Sequence, residues 1–262
     1  MIRFLDELSE IEKLSLIPMS YSRISTYDMC NAKYYFSYIL KEPPLYGEAA
    51  LLGNIVHAVL EEKLQPDTPV EERDLDAFLV ELEVQKPKVD RQNIVGPEFM
   101  QVGRQILEEF VDRHKGEEWP IYSKEMPFEL VVGPALIRGF MDRVDVYEDK
   151  VHITDYKTGK REVAKKNVHL DLQLGIYALV AEKLFPDKQI YAELYYLRTA
   201  RQKGHLFTRD DLEAVEFRLL ETINKIKDQR WFPYTDEPRV CSFCDHAASG
   251  TCNFGSRYYR SN

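Results

Sequence analysis

Three observations in the sequence predict an α/β protein with a mixed central sheet flanked by helices. Before Trp119 the apolar residues recur mostly at helical spacing. Between Phe128 and Lys157 lie three segments with the period of two expected of strands. Beyond them, helix, strand and helix patterns follow in turn.

Taken in order, Ser22–Tyr38 reads as an aromatic-rich helix, ended by Pro43, Pro44 and Gly47. Leu51–Leu64 reads as a second helix, with Leu52, Val56, Val59 and Leu60 on one face. Glu71–Val84 and Glu98–His114 read as two more, separated by a proline-containing linker over Lys86–Pro97. The predicted strands are Phe128–Val132, Leu136–Tyr147 and Val151–Lys157. A helix over Val168–Leu184, a strand over Gln189–Leu197 and a helix over Asp210–Lys227 complete the set. The expected organisation is a single domain over 1–262. It has a helical insertion at about 66–118, a core at about 119–230 and a cysteine-rich tail, 231–262, joined to Cys30.

The 262 residues are 44% hydrophobic and 30% charged, enough for a sizeable core and unlike a disordered chain. Asp6, Glu7, Glu10 and Glu12 interrupt the apolar residues of Met1–Leu16, so that segment reads as neither a signal peptide nor a membrane span. A cytoplasmic location is expected by default. A net charge of −9 argues against broad attraction to nucleic acid, but phosphate contacts depend on local charge. Two basic strips stand out against a background of solvated charge: Lys157, Lys160, Arg161, Lys165 and Lys166; and Arg198, Arg201 and Lys203.

Alternation places Asp142 on the same side of its strand as Phe140, Val144 and Val146, so Asp142 is expected to face the core. Asp155 and Lys157 share a side with Val151 and Ile153, while Asp145 falls on the other face. A two-residue turn at Glu148–Asp149 would set Asp142 opposite Asp155, with Cβ atoms roughly 5 Å apart. Two buried carboxylates that close repel unless a cation or proton lies between them, and a divalent metal answers that need. The plain alternative, an ion pair of either acid with Lys157, leaves the other carboxylate uncompensated.

These residues resemble the PD-(D/E)XK nuclease superfamily, in its RecB-like branch. Asp142, Asp155 and Lys157 stand where its two acids and lysine stand, within Asp155–Tyr156–Lys157–Thr158–Gly159. Gly53 and His57 match an upstream Gly-x-x-x-His motif, and Gln173 and Tyr177 match a later Gln-x-x-x-Tyr motif. The matches run in family order from Ser20 to Cys252. Each of the two helical pairs is spaced i, i+4 and so shares a helix face; the bland reading of both is helix–sheet packing.

The resemblance implies a restriction-endonuclease-like core. It implies Mg²⁺ or Mn²⁺ on His57, Asp142, Asp155 and the Tyr156 carbonyl, and hydrolysis of a phosphodiester by in-line attack of water. Lys157, Gln173 and Tyr177 would assist catalysis, and Lys160, Arg161, Lys165, Arg198 and Arg201 would contact nucleic acid. The expected activity is an exonuclease on single-stranded DNA or DNA ends, in repair or CRISPR adaptation, partnered by a helicase or an adaptation protein and by no membrane. An inert DNA-binding adaptor of the same fold and an RNA nuclease are the alternatives. Gly159–Lys160 is followed by Arg161 and lacks the upstream glycine of a P-loop, so no nucleotide-hydrolysing motor is expected in this chain.

Cys241, Cys244 and Cys252 form C-x2-C-x7-C, with Cys30 far upstream. C-x2-C is a metal signal, although a zinc knot usually supplies a second such pair. The one-plus-three arrangement resembles the [4Fe–4S] staple of AddB-type and CRISPR-adaptation nucleases, which implies a structural cluster on the four thiolates; Zn²⁺, with His246 as a substitute ligand, is the alternative. Asn31 stands where the family commonly has proline.

Overall fold

The computed structural model describes residues 2–66 and 75–259, so the first four residues of the helix expected over Glu71–Val84 lie outside the described residues. The chain packs as two compact units. One comprises residues 1–46, 129–139 and 216–262, and the other residues 47–128 and 140–215.

The strands are β1 (Ile2–Arg3), β2 (Ile17–Met19), β3 (Ile121–Val132), β4 (Ala135–Val146), β5 (Lys150–Lys157), β6 (Gln189–Tyr196) and β7 (Arg201–Phe207). Hydrogen bonding orders them β1-β3-β4-β5-β6-β7, with β2 paired to β4. β4 and β5 run antiparallel, β5 and β6 parallel, and β6 and β7 antiparallel, so the sheet is mixed as expected. A parallel pair requires a crossover, which the helix Leu172–Leu184 between β5 and β6 supplies. β7 escaped prediction because its sequence, RQKGHLF, has no apolar alternation. It pairs throughout its length with β6.

The helices are α1 (Glu10–Leu14), α2 (Tyr21–Met29), α3 (Asn31–Tyr34), α4 (Glu48–Lys63), α5 (Leu75–Val89), α6 (Pro97–Arg113), α7 (the crossover), α8 (Arg209–Asp228), α9 (Pro238–Cys241) and α10 (Asp245–Ala248). α1, α9 and α10 were not expected, α7 starts four residues later than expected, and two expected segments are reshaped. The single helix read over Ser22–Tyr38 breaks at Cys30, whose backbone is extended and whose sulfur accepts the Lys33 N–H. The proline-containing linker is partly helix, because α5 continues through Pro87. The ladder resumes at once, with the Asp90 N–H bonded to the Lys86 carbonyl at 2.8 Å.

In the unit that contains α4–α7, Leu52, Ile55, Val56, Val59, Phe78, Leu82, Leu107 and Phe110 form a core with Tyr156 and Tyr195 of the sheet. In the other unit, Leu8, Val131 and Leu136 make a smaller cluster. No helix among the described residues is long and apolar enough to cross a membrane.

Candidate active site

The β4–β5 turn closes through the Tyr147 N–H and the Lys150 carbonyl at 2.9 Å, leaving two residues, Glu148 and Asp149, between them. The ladder pairs Val146 with Val151, Val144 with Ile153 and Arg143 with Thr154. The paired register ends there, one step short of Asp142 and Asp155. There the pairing passes to a side chain, as the Tyr156 N–H donates to Asp142 Oδ2 at 2.7 Å. α4 brings His57 up to the strand end, its Nδ1 3.5 Å from Asp142 Oδ2. Gly53, one turn earlier, permits the approach: a Cβ there would sit 2.7 Å from Thr158 Oγ1, just beyond Lys157.

Asp155 is buried and belongs to a closed ring of four side chains. Its Oδ2 lies 2.6 Å from Lys157 Nζ. Lys157 donates to Gln173 Oε1 at 2.7 Å, Gln173 Nε2 donates to the Tyr177 hydroxyl at 2.7 Å, and that hydroxyl donates to Asp155 Oδ1 at 3.3 Å. Gln173 and Tyr177 reach the strand from one face of α7, whose start Asp171 caps by accepting the Gln173 and Leu174 N–H groups. Burial raises the Asp155 carboxyl to about 6, with Lys157 opposing and Asp142 adding to the rise. Burial and the two acids also raise the Tyr177 hydroxyl, which stays a neutral donor.

Sequence reasoning missed Glu125. Its carboxylate, a His57 ring nitrogen and an Asp142 oxygen all lie within 4.8 Å of one another, as the ligand atoms of one ion do. Glu125 sits inside β3 at φ 43°, a left-handed conformation unusual for a residue with a side chain, and such a residue interrupts the alternation from which a strand is read. Burial, then Asp142 and Glu61, push its carboxyl up to about 7. Burial disfavours the His57 imidazolium, but Asp142, Asp155 and Glu125 outweigh it and raise its pKa. Such a group of one imidazole and hard oxygens suits a divalent cation.

The expected polarity of the hairpin needs correction. Phe140, read as core-facing with Asp142, is 58% exposed, and the opposite face carrying Asp145 is buried. There Arg143 stacks on Trp119 and donates to Asp145, the Tyr156 hydroxyl and Thr154. The sheet is covered on both sides at this point, so alternation could not tell the faces apart. The Tyr156 side chain serves that second face, while its main chain adjoins Asp142.

Of the basic residues, Lys160, Arg161 and Lys165 are exposed between β5 and α7. Arg198 Nε donates to the Thr158 carbonyl, Lys203 pairs with Glu162 at 2.7 Å, and Arg201 reaches the same carboxylate at 3.7 Å. These contacts anchor the loop after Lys157.

The four cysteines line one cavity, together with Lys33, Phe36, Tyr234 and His246. Cys241, Cys244 and Cys252 are buried and Cys30 is half-buried. The Gly255 N–H points at Cys252 Sγ, 3.2 Å away, and the Lys33 N–H at Cys30 Sγ, 3.5 Å away. Burial, then the other three cysteines, raises the Cys241 thiol above its ordinary range. His246 is engaged elsewhere, its Nε2 2.8 Å from Ser37 Oγ.

Fold and sequence together place the chain in a known class. The chain belongs to the PD-(D/E)XK nuclease superfamily, whose family model matches residues 18–249. Among known proteins it is similar to a subunit of the ATP-dependent helicase/deoxyribonuclease of Carboxydothermus hydrogenoformans, 24% identical over 227 residues, which are 69% of this chain and 20% of that one. The Gene 69 protein of Mycobacterium phage L5 is 29% identical over 136 residues, 49% of this chain and 44% of the phage protein. That of Mycobacterium phage D29 is 26% identical over 126 residues, 46% and 45% respectively. The chain thus spans about one fifth of the bacterial relative and under half of the phage proteins. A crystal structure from Eubacterium rectale, provisionally assigned as an exonuclease, shares the fold with a TM-score of 0.51 at 12% identity, covering 93% of this chain and 91% of that one.

Proposed function

We propose that this chain is a divalent-metal-dependent deoxyribonuclease acting on single-stranded DNA or DNA ends. The observation that carries the reading is the approach of His57 to Asp142, next to the buried Asp155 paired with Lys157, just beyond the paired part of the β4–β5 hairpin. The similarity to part of a bacterial helicase/deoxyribonuclease favours DNA over RNA and a helicase as partner.

His57, Asp142 and Asp155, with the Tyr156 carbonyl, would hold Mg²⁺ or Mn²⁺. The ion would supply Lewis-acid chemistry, acidifying the attacking water and offsetting charge on the phosphate. The chain's own residues do the rest. Lys157 presents an ammonium at the edge of the acids, where it orients the nucleophile and meets developing negative charge. Gln173 and Tyr177 fix that ammonium and the Asp155 carboxylate through the hydrogen-bonded ring. Lys160, Arg161 and Lys165, on the exposed segment after Lys157, track the backbone of the bound strand.

The cysteines fit a [4Fe–4S] cluster. Four thiols line one cavity, and two main-chain N–H groups point at their sulfurs. A cluster there would hold Cys30 to the C-terminal segment and would be structural.

The test compares single-stranded DNA, duplex ends and RNA with Mn²⁺ and with chelator. DNA is expected to be cut with Mn²⁺ alone. Asp142→Asn and Lys157→Ala should each lose at least about a hundredfold in rate while remaining folded. Undiminished cutting by either purified variant overturns the mechanism, and preferential cutting of RNA overturns the substrate.

A further inference from the structure

We propose that Glu125 is a protein ligand of the catalytic ion, an inference that rests on the metal-dependent reading above. Its carboxylate meets the ligand atoms of His57 and Asp142 within 4.8 Å, whereas Asp155 is drawn the other way, bonded to Lys157 at 2.6 Å and to Tyr177. Among the described residues, the carboxylate that groups with Asp142 and His57 as a candidate ion site is the one on β3.

The surroundings leave this carboxylate for a cation to compensate. Lys124, its neighbour in sequence, turns its ammonium to the main-chain carbonyl of Glu61. Glu61, Glu125 and Asp142 line one pocket with His57, so acidic charge accumulates there. The left-handed backbone at Glu125 re-aims its side chain out of the regular alternation of β3, as a local irregularity in a strand does. Two carboxylates and one imidazole then meet at the ion position, a hard, anionic set that favours Mn²⁺ or Mg²⁺ over softer ions. Asp155 has one carboxylate oxygen held by Lys157 and the other by Tyr177.

The experiment measures Mn²⁺ binding to the whole chain by calorimetry or electron paramagnetic resonance, without substrate. Parent, Glu125→Gln, Asp142→Asn and Glu61→Gln are compared, together with melting in chelator and in Mn²⁺. Glu125→Gln is expected to weaken Mn²⁺ binding at least about tenfold. It should also melt higher than the parent in chelator, because a crowded negative charge is gone, and gain less from Mn²⁺. Glu61→Gln should change binding by less than about threefold, since its carboxylate stands outside the group of three. If Glu125→Gln binds Mn²⁺ as the parent does while Asp142→Asn does not, Glu125 is no ligand and the nuclease reading survives. If the parent itself binds no Mn²⁺, both fall. If Glu61→Gln loses as much as Glu125→Gln, the effect is general charge and the assignment is overturned.

Discussion

At the scale of single residues, the ring Asp155–Lys157–Gln173–Tyr177 couples the residues proposed for catalysis to one another. Tyr177 reaches both Asp155 and Gln173 through one hydroxyl, while Phe128 packs edge-on against its ring with centroids 5.9 Å apart. Tyr177→Phe keeps that packing and removes the hydroxyl, leaving the Gln173 amide without its acceptor and Lys157 less firmly held. We expect kcat on DNA to fall by about ten- to a hundredfold, as when a group behind a metal ligand is removed, with a stability loss of about 1 kcal/mol. Steady-state kinetics beside thermal melting checks this. A variant that melts lower but turns over as the parent does would reduce Tyr177 to packing. Gln173 and Tyr177 were legible from i, i+4 spacing and family order, but the ring itself was not, because its closure depends on the distance from α7 to β5.

At the scale of elements, small residues decide how closely helices approach. A Cβ at Gly175 in α7 would lie 2.6 and 2.9 Å from the two methyls of Val215 in α8 and 3.4 Å from its Cβ, so no rotation of Val215 clears it. Gly175→Ala gains up to about 1 kcal/mol of helix propensity but incurs overpacking of about 1–3 kcal/mol. It should melt below the parent, and adding Val215→Ala should restore part of the loss. A double variant that melts below Gly175→Ala would contradict this account. The interruption of the first predicted helix has a comparable logic. Breaking at Cys30 places an extended residue among helical ones, and the thiol then joins the cavity of the other three cysteines. The aromatic spacing of Ser22–Tyr38 contained no sign of that break.

At the scale of the whole molecule, residues from both ends of the chain share one unit, and the four cysteines lie within it. A cluster tying Cys30 to Cys241, Cys244 and Cys252 closes a very long loop, and restricting such a loop in the unfolded chain stabilises the fold. Protein purified without oxygen is expected to carry iron and acid-labile sulfide in equal amounts. Cys30→Ser should lose iron and melt lower. It should still bind Mn²⁺, because His57, Glu125 and Asp142 belong to the other unit. Elemental analysis and melting curves decide this, and zinc without iron would replace the cluster with a zinc site.

The register of the hairpin that carries Asp142 and Asp155, as far as the Arg143–Thr154 pair, was legible in the sequence alone. A two-residue turn and strict two-residue alternation leave one register, and both are local properties. The tertiary structure alone decided which other groups meet those acids. Glu125 arrives through one left-handed residue in a strand, and residue type does not encode that conformation. The buried Arg143–Asp145–Tyr156 face and the edge strand β7 escaped for a related reason: covering layers and pairing partners come from distant segments, so the local hydrophobic pattern does not register them.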